Sequence, residues 1–509
     1  MEWSISLTVV LTLVIVIFFM ILDLLVWKPE KLQNKLRKQG VHGPPPSFLV
    51  GNVREMRNMK CDTTTKKLED DKHNYFSRLF PSLQRWKTLY GDTFMFSLGS
   101  KLFLFTSNPY TVKQMIMSSS LDLGKPSYQK DQLGPLLGEG ILTSNGESWV
   151  HQRKLLAPEL YAEKIKSMAS IMVESSTKLV ESWTDRINKE GEIVELTIDN
   201  DIKRVSGDVI SKACFGSNYE NGEEIFQKLE DLQDTMKNQV FSSGFPLLRY
   251  LPTHNNSKAR RLEREVKELL LKKVEERKKS PTKSDDLLQI IIEASEKILS
   301  DQERDKFVVD NSKNMHLAGY ETTAVAATWT LMLLAENQEW QHRLREEVAQ
   351  ITNGEPPTAD SIRRMKLMTM VIFEALRLYP PVSILSREAL NDIVIGGLKV
   401  PKGVHIWASM ILLHQDPNLW GADAHLFKPN RFADGGYKTG LNFVPFGIGP
   451  RTCLGQNLAM AELKILVGSI VSKFSFSLSP KYKHSPVLRL LTVPQHGVTL
   501  LIRKVNSHF

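Results

Sequence analysis

The chain has 509 residues, 42% hydrophobic and 24% charged, which suits a large folded enzyme and excludes a disordered chain. Its net charge of +9 comes without a long basic block, which excludes a nucleic-acid arm and suits an anionic membrane surface or an acidic partner. The three cysteines, Cys61, Cys214 and Cys453, lie far apart, which argues against a disulfide framework and fits a reducing compartment.

Ile5 to Leu22 is an uncharged, mostly apolar run that Leu24, Leu25, Val26 and Trp27 extend past Asp23. As a helix it is long enough to cross a hydrocarbon layer of roughly 30 Å. No basic segment precedes it and no small-residue cleavage site follows, so a retained anchor is favoured over a cleaved signal. Lys28, Lys31, Lys35, Arg37 and Lys38 come next, which by the positive-inside rule leaves the rest of the chain cytoplasmic. The expected organisation is a single-pass anchor over 1–27, a basic linker with a stiff Gly43-Pro-Pro-Pro46 hinge over 28–52, and a catalytic domain over 53–509.

Residues 55–75 are polar without a clear period and read as a surface loop. Thr93–Leu98 and Leu102–Thr106 flank a glycine turn and predict a β-hairpin, and Pro109 opens a helix. Residues 121–147 are rich in glycine and serine and read as a long, functional loop. From Trp149 to about residue 380 the pattern is mostly helical, with Leu262, Val266, Leu269, Leu270 and Val274 forming an apolar stripe on a charged helix. Strand-like runs return at Ile393–Ile395, Val404–Trp407 and Thr499–Ile502. The fold class is therefore mainly α with small β-sheets, behind the N-terminal transmembrane helix.

Four constellations carry chemistry. Trp149 and Arg153 are one helical turn apart. Ala318-Gly-Tyr-Glu-Thr-Thr323 interrupts a long apolar helix expected from about Lys306 to Asn337; polar residues there are costly unless paired or used, and the bland reading is a kink with a threonine bonded to the preceding turn. Glu374 and Arg377 share a helix face with apolar flanks. Cys453 sits in Phe446-Gly-Ile-Gly-Pro-Arg-Thr-Cys-Leu-Gly455, just before a helix-like run, where free N–H groups favour a thiolate. Taken alone, that cysteine is a buried structural residue, a nucleophile lacking a nearby base, or a haem ligand.

The pattern Phe446-x-x-Gly449-x-Arg451-x-Cys453-x-Gly455 resembles the signature of the cytochrome P450 superfamily, the haem-thiolate monooxygenases. The resemblance implies the fold of that family and haem b as cofactor, with Cys453 as axial iron ligand, Phe446 packed beside the sulfur, and Arg451, Trp149, Arg153 and Arg387 on the propionates. It implies that Gly319 makes room over the haem for dioxygen and that Glu321 and Thr322 supply protons. It implies that Glu374 and Arg377 are joined by Arg431 from Phe427-Lys-Pro-Asn-Arg-Phe432, where Asn430 replaces the glutamate common in the family.

No glycine-rich nucleotide fingerprint occurs, so NADPH is expected to act only indirectly, through a membrane-bound NADPH–cytochrome P450 reductase. Further partners expected are O2, a lipophilic small molecule and the endoplasmic reticulum membrane, with no nucleic acid. Pocket walls are expected from 121–140, 222–250, Met315–Gly319, Val382–Leu385 and Leu490–Pro494. Longer stretches, among them VVDNSKNMHLAGYETTA and FGIGPRTCLGQNLAMAELK, resemble the plant clan that oxidises gibberellins and related terpenoids, and within it the family containing gibberellin 13-hydroxylases and 16,17-epoxidases. The resemblance implies hydroxylation or epoxidation of a gibberellin or ent-kaurane diterpenoid, with pentacyclic triterpenoids as the alternative. A haem isomerase that needs no oxygen is disfavoured by Thr322, and a non-enzymatic haem scaffold by the full set of oxygen-activation residues.

Overall fold

A computed structural model describes residues 2–59, 73–119, 121–216, 220–236, 253–279, 286–296, 300–433 and 442–505. The apolar N-terminus forms α1 (Glu2–Leu22), passes through a π-helical turn at Asp23–Trp27 and continues as α2 (Lys28–Arg37). Among the described residues, Leu11–Arg37 is the one helical stretch long and apolar enough to cross a membrane, and its most apolar window is wholly unburied. α2 is docked on the body of the protein. Gln33 and Leu36 are buried, Gln33 donates to Ser97 at 3.2 Å, and Gln39 exchanges two hydrogen bonds with the Lys399 backbone.

The largest sheet combines β1 (Thr93–Leu98) and β2 (Lys101–Thr106), the expected hairpin, with β3 (Leu123–Gly124), β5 (Ile384–Ala389) and β8 (His405–Ser409), in the order β1-β2-β8-β5-β3. Phe94 pairs with Phe105 and Phe96 with Phe103, while β2 and β8 run parallel. β12 (Thr499–Lys504) lies between β4 (Ile193–Thr197) and β9 (Phe474–Leu478). Two ribbons complete the strands: β6 (Ile393–Ile395) with β7 (Leu398–Val400), and β10 (Pro486–Leu488) with β11 (Thr492–Pro494).

The helices that matter for the site are α3 (Ser127–Leu137), α4 (Gly146–Leu156), α5 (Ala162–Glu190), α6 (Asp199–Phe215), α7 (Glu220–Met236), α8 (His254–Lys279), α9 (Asp301–Glu336), α10 (Lys366–Leu378) and α11 (Gln456–Lys473). α9 starts at a capping box, in which Ser300 accepts from the Glu303 N–H and donates to its carboxylate. It runs through the core with nearly every residue from Phe307 to Ala335 buried, packed on α6, α10 and α11. The apolar stripe of α8 is buried at Leu262, Val266, Leu270 and Val274, as its period predicts.

Two local expectations are corrected. Residues 121–147 do not form one long loop, because Leu123–Gly124 is strand and Ser127–Leu137 is helical, followed by an irregular turn. That turn is stitched to α9: the N–H groups of Glu139, Ile141 and Leu142 donate to Asp310, Asn311 and Asn314 at 2.9, 3.0 and 2.8 Å. Gly138 and Gly140 allow the approach, since a Cβ at either would collide with Asp310 or Asn314. The 55–75 stretch is likewise not all surface. Val53–Asn58 is helical, and Tyr75 is fully buried, stacked on Tyr379 at 5.1 Å and donating to the Leu378 carbonyl; residues 60–72 lie outside the described residues.

Sequence period missed β5 because it carries Ser386-Arg387-Glu388, polar residues that are held between β8 and β3. It also missed β4 and β9, which need β12 to pair with.

Candidate active site

The cysteine loop is shaped by its glycines. Gly447 and Gly449 adopt φ of +68° and +73°, a region costly for side-chain-bearing residues, and Gly449 lies against the Ile116 carbonyl where a Cβ would be at 3.0 Å. The turn closes with a Cys453 N–H bond to the Phe446 carbonyl at 2.8 Å, which brings Phe446 beside the cysteine. Cys453 has accessible surface, yet desolvation raises its thiol pKa above the ordinary value, so it fronts an interior hollow and not bulk solvent. The Gly455 N–H, Arg153 and Lys125 oppose that rise without overcoming it. The expected thiolate is therefore not favoured by the helix terminus alone: burial wins, and metal coordination is what would deprotonate the sulfur.

Around the sulfur the fold gathers cations from four elements. Trp149, on α4, is buried with the Arg451 guanidinium 4.3 Å and the Arg153 guanidinium 5.8 Å from its ring. Arg387 comes from β5 and is buried, donating to the neighbouring Ser386 carbonyl at 2.9 Å. Burial lowers the pKa of Arg387 to about 10 and that of Arg451 to about 9, the latter helped by the charges of Arg387 and Arg153. Lys125, which follows β3, joins them: burial and then Arg387 and Arg451 pull its pKa down to about 7. It was not legible as a site residue, although Asn145 shows how it is placed. The Asn145 side chain bonds both the N–H and the C=O of Lys125, and its oxygen also accepts from Arg451 at 3.0 Å.

This donor set fits a haem. Nε and Nη1 of Arg451 are buried with no hydrogen-bond partner among the described residues. Cation–π contacts worth about 0.5–2 kcal/mol each are too weak to hold buried like charges together, so an anionic group is required. Two propionates beside a metal facing Cys453 meet that requirement.

The α9 motif divides by face. Thr322 donates to the Ala318 carbonyl at 2.7 Å, so the hydroxyl is bonded to the preceding turn and its oxygen can still accept. Glu321 is buried and accepts from Gln233 of α7 at 2.5 Å. Gly319 packs against a neighbouring helix. A Cβ there would lie 2.5 Å from Cδ1 of Ile210, so the glycine admits α6 against α9.

Glu374, Arg377 and Arg431 meet. Arg377 donates twice to Glu374, at 2.7 and 2.8 Å, with neither side chain exposed, and bonds the carbonyls of His414, Ala424 and Leu426. Arg431 Nε stands 3.5 Å from Glu374, an ion pair without hydrogen-bond geometry, and its other nitrogens hold Asp423 and the Trp420 carbonyl. His414 links this cluster to the cysteine loop by accepting the Val444 N–H at 3.2 Å. Two expected pocket walls lie side by side, with the Thr492 N–H bonded to the Pro381 carbonyl; 237–250 lies outside the described residues.

The cytochrome P450 family profile matches residues 72–502 of the chain. The chain is similar to cytochrome P450 714C2 of Oryza sativa subsp. japonica, 43% identical over 503 residues that cover 96% of each chain. It is 42% identical to cytochrome P450 714B3 of Zea mays, over 94% of this chain and 92% of that one, and 41% identical to cytochrome P450 714A2 of Arabidopsis thaliana, over 93% of each.

Proposed function

Since the chain belongs to the cytochrome P450 family and is a haem b monooxygenase, we propose that it hydroxylates or epoxidises a lipophilic plant terpenoid, a gibberellin or ent-kaurane diterpenoid, with Cys453 as the axial ligand. The observation that carries the site is a thiol fronting an interior hollow, ringed by Lys125, Arg153, Arg387 and Arg451, with two Arg451 nitrogens unpartnered among the described residues. The substrate class rests on the long stretches that resemble the gibberellin-oxidising clan, and is supported by full-length likeness to plant members.

Haem b held by these residues supplies oxygen activation, in which one oxygen atom enters a C–H or C=C bond and the other leaves as water. The chain's own residues do the rest. Arg451, Arg387, Arg153 and Lys125 would hold and neutralise the haem propionates, while Trp149 holds two of the guanidiniums by its ring face. Glu321 holds a proton and Thr322 passes it on, its hydroxyl oriented by the Ala318 carbonyl. Glu374, Arg377 and Arg431 brace the segment that leads into the cysteine loop. Electrons come from NADPH through NADPH–cytochrome P450 reductase, and the N-terminal helix anchors the enzyme in the endoplasmic reticulum with the catalytic domain on the cytoplasmic side.

The test is product analysis. Microsomes containing the full chain and a plant reductase are given NADPH and a panel of gibberellins, ent-kaurenoic acid and oleanane or ursane acids. An oxygenated gibberellin or kaurenoid is the expected result. Oxidation of the triterpenoids alone would move the enzyme to that class, and no oxygenated product from an enzyme with an intact haem-thiolate spectrum would overturn the terpenoid reading.

A further inference from the structure

Two of the expected pocket walls, Val382–Leu385 and Leu490–Pro494, are poorly built to stand alone. Pro380 and Pro381, which lead into the first, have no N–H and cannot donate to a ladder. The second is the end of a ribbon, β10 with β11, that pairs only three residues a side and has a proline in each strand. The walls are joined where the Thr492 N–H donates to the Pro381 carbonyl at 3.0 Å. The Thr492 carbonyl accepts in turn from the indole N–H of Trp329, at 2.9 Å.

Trp329 lies on α9, two turns beyond Thr322, which places it about 10 Å further along the axis and within about 20° of the same face. It is fully buried, and its ring is stacked on that of Tyr379 with centroids 4.2 Å and planes 12° apart. Tyr379 is the residue before Pro380, and its hydroxyl lies between two imidazoles, 2.5 Å from Nδ1 of His73 and 3.1 Å from Nε2 of His484. His484 stands just before β10, with its Nδ1 2.9 Å from the Tyr482 hydroxyl.

These contacts have one direction. Nε2 of His73 faces the Glu336 carboxylate at 3.7 Å, so it carries the proton of that ring. Tyr379 then donates to Nδ1 of His73, His484 donates from Nε2 to Tyr379, and Tyr482 donates to Nδ1 of His484, with both imidazoles neutral. A buried polar chain satisfied in this way is rigid. It grips the root of each wall, Tyr379 before the first and His484 before the ribbon, while Trp329 ties both to α9. None of these groups has a part in oxygen activation or haem binding as described above.

We propose that Trp329 and Tyr379 are positioning residues for specificity: they lock both pocket walls to the helix that carries Thr322, and so fix which substrate carbon faces the reacting oxygen. They act through Thr492 and Pro381. The inference rests on the reading of this site as an oxygenase pocket, and it deepens that reading.

The test uses the full-length holoenzyme in membranes with its reductase. Trp329→Phe keeps a stacked ring and removes the bond to Thr492. Tyr379→Phe keeps the stack and removes the hydroxyl between the imidazoles. Trp183→Phe is the matched control, since it removes a buried indole bond of the same length, to Asp201, between α5 and α6. Two nitrogenous haem ligands, imidazole and the bulky clotrimazole, are titrated and read by haem absorption. Imidazole reports on the haem alone, and the ratio of the two dissociation constants reports on the walls. The expected result is a several-fold change of that ratio in Trp329→Phe and Tyr379→Phe, at unchanged imidazole affinity, and the wild-type ratio in Trp183→Phe. The proportions of regioisomers among oxygenated terpenoids should shift in the same two variants. Wild-type ratios in both overturn the proposal, and so does an equal change in Trp183→Phe, which would mean general loosening. Tyr379→Phe carries the test if Trp329→Phe fails to retain haem. The titration needs no terpenoid, so a changed ratio without any oxygenated terpenoid would leave the positioning role standing and remove the substrate reading.

Discussion

Ser206 of α6 donates to the Tyr320 carbonyl of α9 at 3.0 Å and stands beside Glu462, in the second turn of α11, where it opposes the effect of burial on that carboxyl group. Burial pushes the Glu462 pKa from 4.5 up to about 8. Ser206 thus stands between the helix that follows the cysteine and the helix that carries Thr322.

A carboxyl group with a raised folded pKa stabilises the fold fully below its unfolded value, and the contribution is lost as pH rises through the folded value. The wild-type protein should lose stability between about pH 5 and pH 8 from this group, by roughly 2–4 kcal/mol. Glu462→Gln keeps the size and polarity of the side chain but has no proton to lose. Chemical denaturation across this range should show a flatter profile for the variant, and parallel profiles would refute a neutral Glu462.

Arg377, fully buried with Glu374, is held by five hydrogen bonds to Glu374 and three carbonyls. Removing one partner of such a buried pair costs about 3–5 kcal/mol because the other charge is stranded. Arg377→Ala should fail to retain haem. Arg377→Lys should fail nearly as badly, since an ammonium cannot reproduce the two-pronged contact. Haem content per polypeptide and the thermal midpoint are the measurements.

Cys453 and Arg451 should separate ligation from retention. Cys453→Ala should abolish the red-shifted carbon monoxide band of a thiolate-ligated haem. Arg451→Ala should leave that band in the fraction that keeps haem, but lower haem affinity by removing a buried propionate partner. An unchanged band in Cys453→Ala would sink the ligand assignment.

Gly319→Ala should destabilise the protein by about 1–3 kcal/mol through overpacking on Ile210. Combining it with Ile210→Ala should recover part of that loss, and a double-mutant cycle on thermal or chemical unfolding measures the coupling. Zero coupling would return Gly319 to a role on the haem side.

What was legible in the sequence was local. The apolar N-terminal helix, the β1–β2 hairpin, the stripe of α8 and the spacing around Cys453, Glu374–Arg377 and Thr322 all lie within a few turns of chain, where periodicity and residue type carry the information. β5 was not legible, because its polar residues are strand only between β8 and β3; β4 and β9 alternate but are short, and are strands only beside β12.

The tertiary structure alone decided which way each marked residue faces and what completes it. Nothing near Lys125 announces a cation destined for the cysteine; Asn145 and Arg451 bring it there. Gly319 turned out to face Ile210, and Glu321 to face Gln233. Burial, not the helix terminus, controls the Cys453 thiol. The reason is physical: secondary structure follows from neighbours along the chain, whereas desolvation, charge gathering and the choice of helix face depend on segments hundreds of residues apart that meet only when the core closes.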